Sequence, residues 1–217
     1  MSTKPRIAID AMGGDEGVPV MIAGAALARH RHESFNFLLV GDEVRIKAAL
    51  DKHPNLRAVT EILHTDDFVT ADDKVSAALR KAKTSSMGMA INAVKTGEAS
   101  AAVSAGNTGA LMALSMLRLR KLPGINRPAI ACLWPSLNPG GFNVMLDVGA
   151  DIKAEPDDLL QYATMGASYA RNGLNLARPR IGLLNVGTEE HKGRAELKEA
   201  HDRMPVAAEA GAFDYVG

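Results

Sequence analysis

The chain has 217 residues, 47% of them apolar, and its 25 Lys plus Arg balance its 25 Asp plus Glu. That length and apolar share allow one well-buried core. The absence of net charge excludes holding nucleic acid or an anionic membrane by bulk field, so any anion site must be local. Cys132 is the single cysteine, which excludes an internal disulfide framework and points to a reducing, cytoplasmic compartment. It sits in an apolar run and reads as core filling. The N-terminal residues pass straight into a short apolar run, without the pattern of a signal peptide. No stretch approaches the roughly 18 consecutive apolar residues of a spanning helix, so any membrane contact is expected to be peripheral.

In chain order, short β-type runs are expected at residues 6–11, 35–40, 59–64, 101–105, 129–134, 142–148 and 180–185. Helical periodicity fills residues 18–31, 44–52, 75–82, 87–96, 110–120, 156–171 and 196–203. Apolar strands linked by helical crossovers predict an α/β fold with a mostly parallel sheet covered on both faces. The connector Pro135-Ser136-Leu137-Asn138-Pro139-Gly140-Gly141 is too short for a parallel crossover, so its flanking strands are expected to form an antiparallel hairpin or edge arm, one that could dimerise. No repeat or linker marks a domain boundary, and a single catalytic domain over residues 1–217 is expected. Residues 212–217 look like the opening of another strand or turn, which suggests truncation.

In open α/β sheets, ligands bind beyond the carboxyl ends of the strands, which directs attention to four turns. The first is Asp10-Ala11-Met12-Gly13-Gly14-Asp15, where glycines permit close backbone approach to a ligand and the alternative is a tight turn capped by Asp15. The second, Ser104-Ala105-Gly106-Asn107-Thr108-Gly109, opens a helix whose unpaired amides suit phosphate, with hydroxyl and amide side chains beyond what a plain N-cap needs. It lacks the lysine of a P-loop and the G-x-G-x-x-G spacing, so nucleotide readings are weak. The third, Thr84-Ser85-Ser86-Met87, has Ser86 as its expected cap, with Gly97 closing the helix. Ser85 and Lys83 are candidates to face the same cleft. The fourth is Asn185-Val186-Gly187-Thr188-Glu189-Glu190-His191-Lys192-Gly193, which fits no zinc signature and has a solvated charged loop as its alternative. His30 and His32 fit the favourable end of a helix dipole, and Asp66-Asp67 and Asp72-Asp73 read as loop and capping residues. No G-x-S-x-G elbow is present.

Taken together these turns resemble the family of bacterial fatty acyl-(acyl carrier protein):phosphate acyltransferases. The resemblance is carried in order by Ile7-Ala8-Ile9-Asp10-Ala11-Met12-Gly13-Gly14-Asp15, Ser85-Ser86-Met87, Val103-Ser104-Ala105-Gly106-Asn107-Thr108-Gly109-Ala110-Leu111-Met112, Arg127-Pro128-Ala129, Leu146-Asp147-Val148-Gly149-Ala150 and Gly182-Leu183-Leu184-Asn185-Val186-Gly187. The chain departs at Asp151, where the family commonly has asparagine, at Lys74-Val75-Ser76, where a proline is common, and at its end, beyond which the family continues. The resemblance implies a three-layer α/β/α sandwich, Rossmann-like and similar to the isocitrate dehydrogenase and phosphotransacetylase folds. It implies a homodimer that uses no metal or nucleotide cofactor. The implied reaction moves a long-chain acyl group from acyl carrier protein to inorganic phosphate for phospholipid synthesis. Peripheral membrane contact and a downstream glycerol-3-phosphate acyltransferase are implied partners. By the same resemblance Lys192 is the catalytic candidate, Ser104, Gly106, Asn107 and Thr108 hold phosphate, and Asp10, Gly13, Gly14 and Asp15 shape the wall. Ser85, Asn185 and Gly187 complete the expected set. The rival readings are a phosphate acetyl- or butyryltransferase using acyl-coenzyme A and a non-catalytic ligand-binding fragment.

Overall fold

The computed structural model describes residues 4–138, 140–148, 153–187 and 192–217. The chain forms two compact units, Met1–Arg120 and Lys121–Gly217.

In the first unit, β1 (Arg6–Asp10), α1 (Val18–Arg31), β2 (Asn36–Gly41), α2 (Glu43–Leu50), α3 (Pro54–Arg57) and β3 (Thr60–His64) follow one another. Then come α4 (Val75–Arg80), α5 (Ser86–Lys95), β4 (Ala101–Val103) and α6 (Thr108–Leu119). The four strands make a parallel sheet in the order β3-β2-β1-β4. Alternation along the strands separates its two faces. Ile9, Phe37 and Leu39 pack with Val18 and Ile22 of α1 and Ile46 of α2. Ala8, Leu38 and Val40 pack with Ala90 and Ala93 of α5. Both faces are therefore covered, as near-continuous apolar parallel strands require. A further cluster joins Ala78 of α4, Met87 and Ile91 of α5, and Ala110 and Leu114 of α6.

Local chemistry sets the helix starts. Asp42 caps α2 by accepting from the amides of Val44 and Arg45 at 2.9 and 3.1 Å. The expected cap of α5, Ser86, proves to be one residue late. Ser85 holds the extended backbone of an N-cap and accepts from Gly88 N at 3.2 Å. Asp15 does not cap α1 either, because the N-cap is Gly17, at φ 58°, and it makes no side-chain bond. Gly97, at φ 77°, follows the C-cap Thr96 of α5 as expected.

The second unit contains β5 (Ala131–Pro135), β6 (Phe142–Leu146), α7 (Pro156–Leu174), β7 (Arg180–Ile181), α8 (Ala195–Gly211) and β8 (Asp214–Tyr215). β5 and β6 form the expected antiparallel hairpin, with Cys132 opposite Met145 and Trp134 opposite Asn143. Cys132 is only partly buried, not core, because among the described residues β5 pairs only with β6 and the other residues of β5 are exposed. α7 and α8 pack through Ala163, Ala167, Met204 and Ala208, with Phe213 fully buried at the end of the seam. β7 and β8 pair in parallel, so the strand-like look of the final residues is real. α8 runs well past the expected end at residue 203 and carries Pro205 inside it. The buried stripe Ala200, Met204 and Ala208 keeps the helical spacing across the proline, and packing outweighs the lost backbone bond.

Candidate functional site

The sheet order places a topological switch point between β1 and β4. The chain winds from β1 to β2 to β3 on one side, and β4 joins β1 on the other. Ligands of open α/β sheets bind in the crevice this creates at the strands' carboxyl ends. The first and second sequence turns emerge there from neighbouring parallel strands.

Asp10 ends β1 and is only 2% exposed. Its Oδ1 accepts from Met12 N at 3.2 Å, and its Oδ2 accepts from the Ser104 hydroxyl at 2.7 Å. Ser104 Oγ in turn accepts from Gly106 N at 3.1 Å. The two turns approach so closely that a Cβ on Gly13 would lie 2.7 Å from Asp10 Oδ2 and 3.0 Å from Gly106 N. A Cβ on Gly106 would lie 2.9 Å from Met87 Cε. Gly13 thus has no room for a side chain between Asp10 and the Gly106 amide, and Gly106 has none beside Met87 and Ser104. Gly14 sits against Ala105 at φ +82°, while Asp15 is exposed.

α6 begins at the same place. Asn107 caps it by accepting from Ala110 N at 2.9 Å. Its amide nitrogen donates to Ala71 O at 2.9 Å and Asp73 O at 3.3 Å. The Asn107 side chain is thus engaged within the protein, and it straps the segment around residue 72 to the start of α6. The first intrahelical bond is Leu111 N to Asn107 O at 2.9 Å, so the amides of Asn107, Thr108 and Gly109 precede the ladder, and Thr108 and Gly109 are exposed. Ser85, fully buried, is spent on capping α5, and the contact to this turn comes from Met87. Lys83 is exposed. Asp67 and Asp73 are loop residues as expected, Asp67 accepting from Thr84 Oγ1 at 2.7 Å and Asp73 from Thr70 N at 3.0 Å.

Asn185, Gly187 and Lys192 belong to the second unit. Asn185 Oδ1 accepts from Val186 N at 2.8 Å, and Gly193, at φ +88°, lies against that side chain. Lys192 beside it is partly buried. Thr188, Glu189, Glu190 and His191 of the fourth turn, and Gly149, Ala150 and Asp151, lie outside the described residues.

Sequence reading gave no role to Asp147. It is buried at φ 58°, with neither carboxylate oxygen hydrogen-bonded among the described residues. It also missed the strap from Asn107 and the Met87 contact, since both join residues that periodicity does not relate. A hollow of about 460 Å³ in the second unit lies elsewhere, lined by Asn126, Leu160, Gln161, Thr164 and Ala207 among others. Its titratable lining residue, Asp157, is paired with Arg203, so it presents no catalytic constellation. Among the described residues no three His, Cys, Asp or Glu gather as metal ligands, and no helix is long and apolar enough to cross a membrane.

The parallel sheet, its switch point and the antiparallel hairpin define an α/β protein of the phosphotransacetylase fold. The chain superposes on a phosphotransacetylase from Streptococcus pyogenes with a TM-score of 0.67 at 16% identity, covering 99% of this chain and 68% of that one. For the EutD phosphotransacetylase from Staphylococcus aureus the TM-score is 0.63 at 18% identity, with the same coverage. More particularly, the chain belongs to the family described as fatty acid synthesis protein, whose model matches residues 5–217. It is 61% identical over 211 residues to a phosphate acyltransferase of Cereibacter sphaeroides and 58% identical to one of Paracoccus denitrificans, in each case over 97% of this chain. The chain spans 57% of the length of either relative.

Proposed function

We propose that this chain is the phosphate-binding part of an acyltransferase that moves a fatty acyl group from the thioester of acyl carrier protein to inorganic phosphate. The observation that carries the reading is the meeting of the Gly13 and Ser104–Gly109 turns at the switch point, beside the first turn of α6, whose residues Thr108 and Gly109 are exposed. The family and the named relatives support the choice of reaction.

A phosphate oxygen attacks the thioester carbonyl, a tetrahedral oxyanion forms, and its collapse expels the phosphopantetheine thiolate to leave an acyl phosphate. A thiolate, with a thiol pKa of about 8.5, leaves without strong acid help. Positioning and charge do most of the work. Holding phosphate in line with the carbonyl accounts for about 7 to 11 kcal/mol, and one oxyanion donor for about 3 to 4 more. In this reading the amides of Thr108 and Gly109 hold phosphate, and Asp10, Gly13, Gly14 and Ser104 keep the two turns in contact. Asn107 supports the site by holding the start of α6, and Asp15 lies at its solvent side. Lys192 is the proposed source of positive charge, with Asn185 and Gly187 shaping its turn. That assignment rests on the sequence turn and the resemblance.

The reading also takes the protein as a homodimer acting in the cytoplasm, with peripheral membrane contact and a glycerol-3-phosphate acyltransferase downstream. No cofactor enters the scheme, because the pantetheine arrives on the carrier. A short-chain enzyme using acyl-coenzyme A is the second reading, favoured by the phosphotransacetylase fold. The test follows thiol release by this chain and by the full-length Cereibacter sphaeroides relative. Release from long-chain acyl carrier protein that requires phosphate supports the proposal. Release from acyl-coenzyme A alone overturns the donor, and release independent of phosphate overturns the reaction.

A further inference from the structure

We infer that the Asp10–Ser104 pair reads the proton on the bound oxyanion, so that the site selects hydrogen phosphate and similarly protonated oxyanions over sulfate. A hydroxyl has one hydrogen to give and two lone pairs to offer. Ser104 gives its hydrogen to Asp10 Oδ2 at 2.7 Å, and one lone pair receives Gly106 N at 3.1 Å. Only a lone pair is left for a ligand. Asp10 is held in place, since its Oδ1 receives Met12 N at 3.2 Å and Gly13 closes over its Oδ2. Ser104 itself is only partly buried, whereas Asp10 is 2% exposed.

A ligand oxygen that meets Ser104 must therefore bring its own hydrogen. Inorganic phosphate keeps at least one proton at neutral pH, and sulfate keeps none. Charge acts in the same direction, because the Asp10 carboxylate repels a bare anionic oxygen nearby. The amides of Thr108 and Gly109 alone would accept any small oxyanion. Discrimination then comes from a buried acceptor arrangement that an unprotonated ligand leaves unmatched.

This inference rests on the phosphate reading of the α6 turn, and the two fail differently. The 217-residue chain would be titrated at pH 8 with phosphate, arsenate, sulfate and fluorophosphate. Fluorophosphate matches hydrogen phosphate in charge and shape but carries fluorine in place of the hydroxyl. Calorimetry would give affinities, and amide NMR shifts at Gly106, Thr108 and Gly109 would locate the ligand. Phosphate and arsenate are expected to bind there about a hundredfold or more tighter than sulfate and fluorophosphate. Ser104→Ala is expected to bring phosphate down to the level of sulfate, while Ser104→Thr, which keeps the hydroxyl, retains the preference. Amide spectra of both variants establish that they fold. Equal binding of phosphate and sulfate at these amides overturns the inference and leaves the phosphate site standing. A preference that survives in Ser104→Ala also overturns it. Absence of any phosphate-induced shift at these amides overturns both readings.

Discussion

Gly13 shows how a single hydrogen in place of a methyl group decides a site. Gly13→Ala would put Cβ 2.7 Å from Asp10 Oδ2 and 3.0 Å from Gly106 N, so the two turns must part. A loss of about 1–3 kcal/mol is expected, with phosphate affinity falling alongside, as read by urea unfolding and titration. Gly24 is the control, since a Cβ there meets nothing within 4 Å. Gly24→Ala, within α1, should be neutral or stabilise by up to about 1 kcal/mol. Asn107 invites a sharper separation. Asn107→Ala removes the cap and both strap bonds and should cost about 1 kcal/mol or more, with phosphate use weakened more than carrier binding. Asn107→Asp keeps the cap acceptor but cannot donate to Ala71 O or Asp73 O, so a smaller loss in α6 stability would isolate the strap. For Lys192, Lys192→Ala should lower turnover of the full-length enzyme about a hundredfold or more while leaving thermal stability nearly unchanged. Lys192→Arg should not fully restore it, because a planar guanidinium differs from a compact ammonium. Near-normal turnover in Lys192→Ala would remove Lys192 from the catalytic scheme.

At the scale of elements, α8 carries the clearest conflict between local preference and packing. Pro205 removes a backbone donor from the middle of a 17-residue helix, yet Ala200, Met204 and Ala208 stay on one face against α7. Arg203 adds pairs to Asp157 and Glu199 near the proline. Pro205→Ala should then stabilise the chain by about 1 kcal/mol or more, because the residue is exposed and alanine restores the bond. A fall in melting temperature would mean that the proline shapes a bend the seam requires. The helical period read from the sequence reaches only residue 203, two residues short of the proline. The helix continues because buried side chains flank the proline on both sides, Ala200 and Met204 before it and Ala208 after it. α5 teaches the complementary point, for either of two adjacent serines satisfies the capping rule. Only the backbone chose Ser85, leaving Ser86 fully buried with a hydroxyl that has no hydrogen-bond partner among the described residues.

For the whole molecule, the hairpin arm carries the expectation of assembly. Leu133 and Trp134 are each 54% exposed, and Leu137 is fully exposed. Apolar residues gathered on an arm of this kind favour burial against a second copy. Light scattering of the full-length protein in dilute solution is expected to report a dimer, and Trp134→Lys to shift it toward monomer. A full-length protein that scatters as a monomer would refute the arm as an interface.

Most of the element order was legible because apolar strands and amphipathic helices write their period into the sequence, and every predicted strand and helix has its counterpart here. The glycine-bearing turns were legible too, since glycine and small polar residues at strand ends are local signals. What the sequence could not carry was adjacency. β4 lies beside β1 although ninety residues separate their ends, and only that pairing creates the switch point and brings Ser104 to Asp10. Both residues were candidates for binding phosphate, but their hydrogen bond makes Asp10 an orienting acceptor and leaves Ser104 a lone pair. Asn107 looked free to bind and is instead engaged at both ends of its amide. A residue type limits which hydrogen bonds are available; the tertiary structure decides which are already made, and so what remains for a ligand.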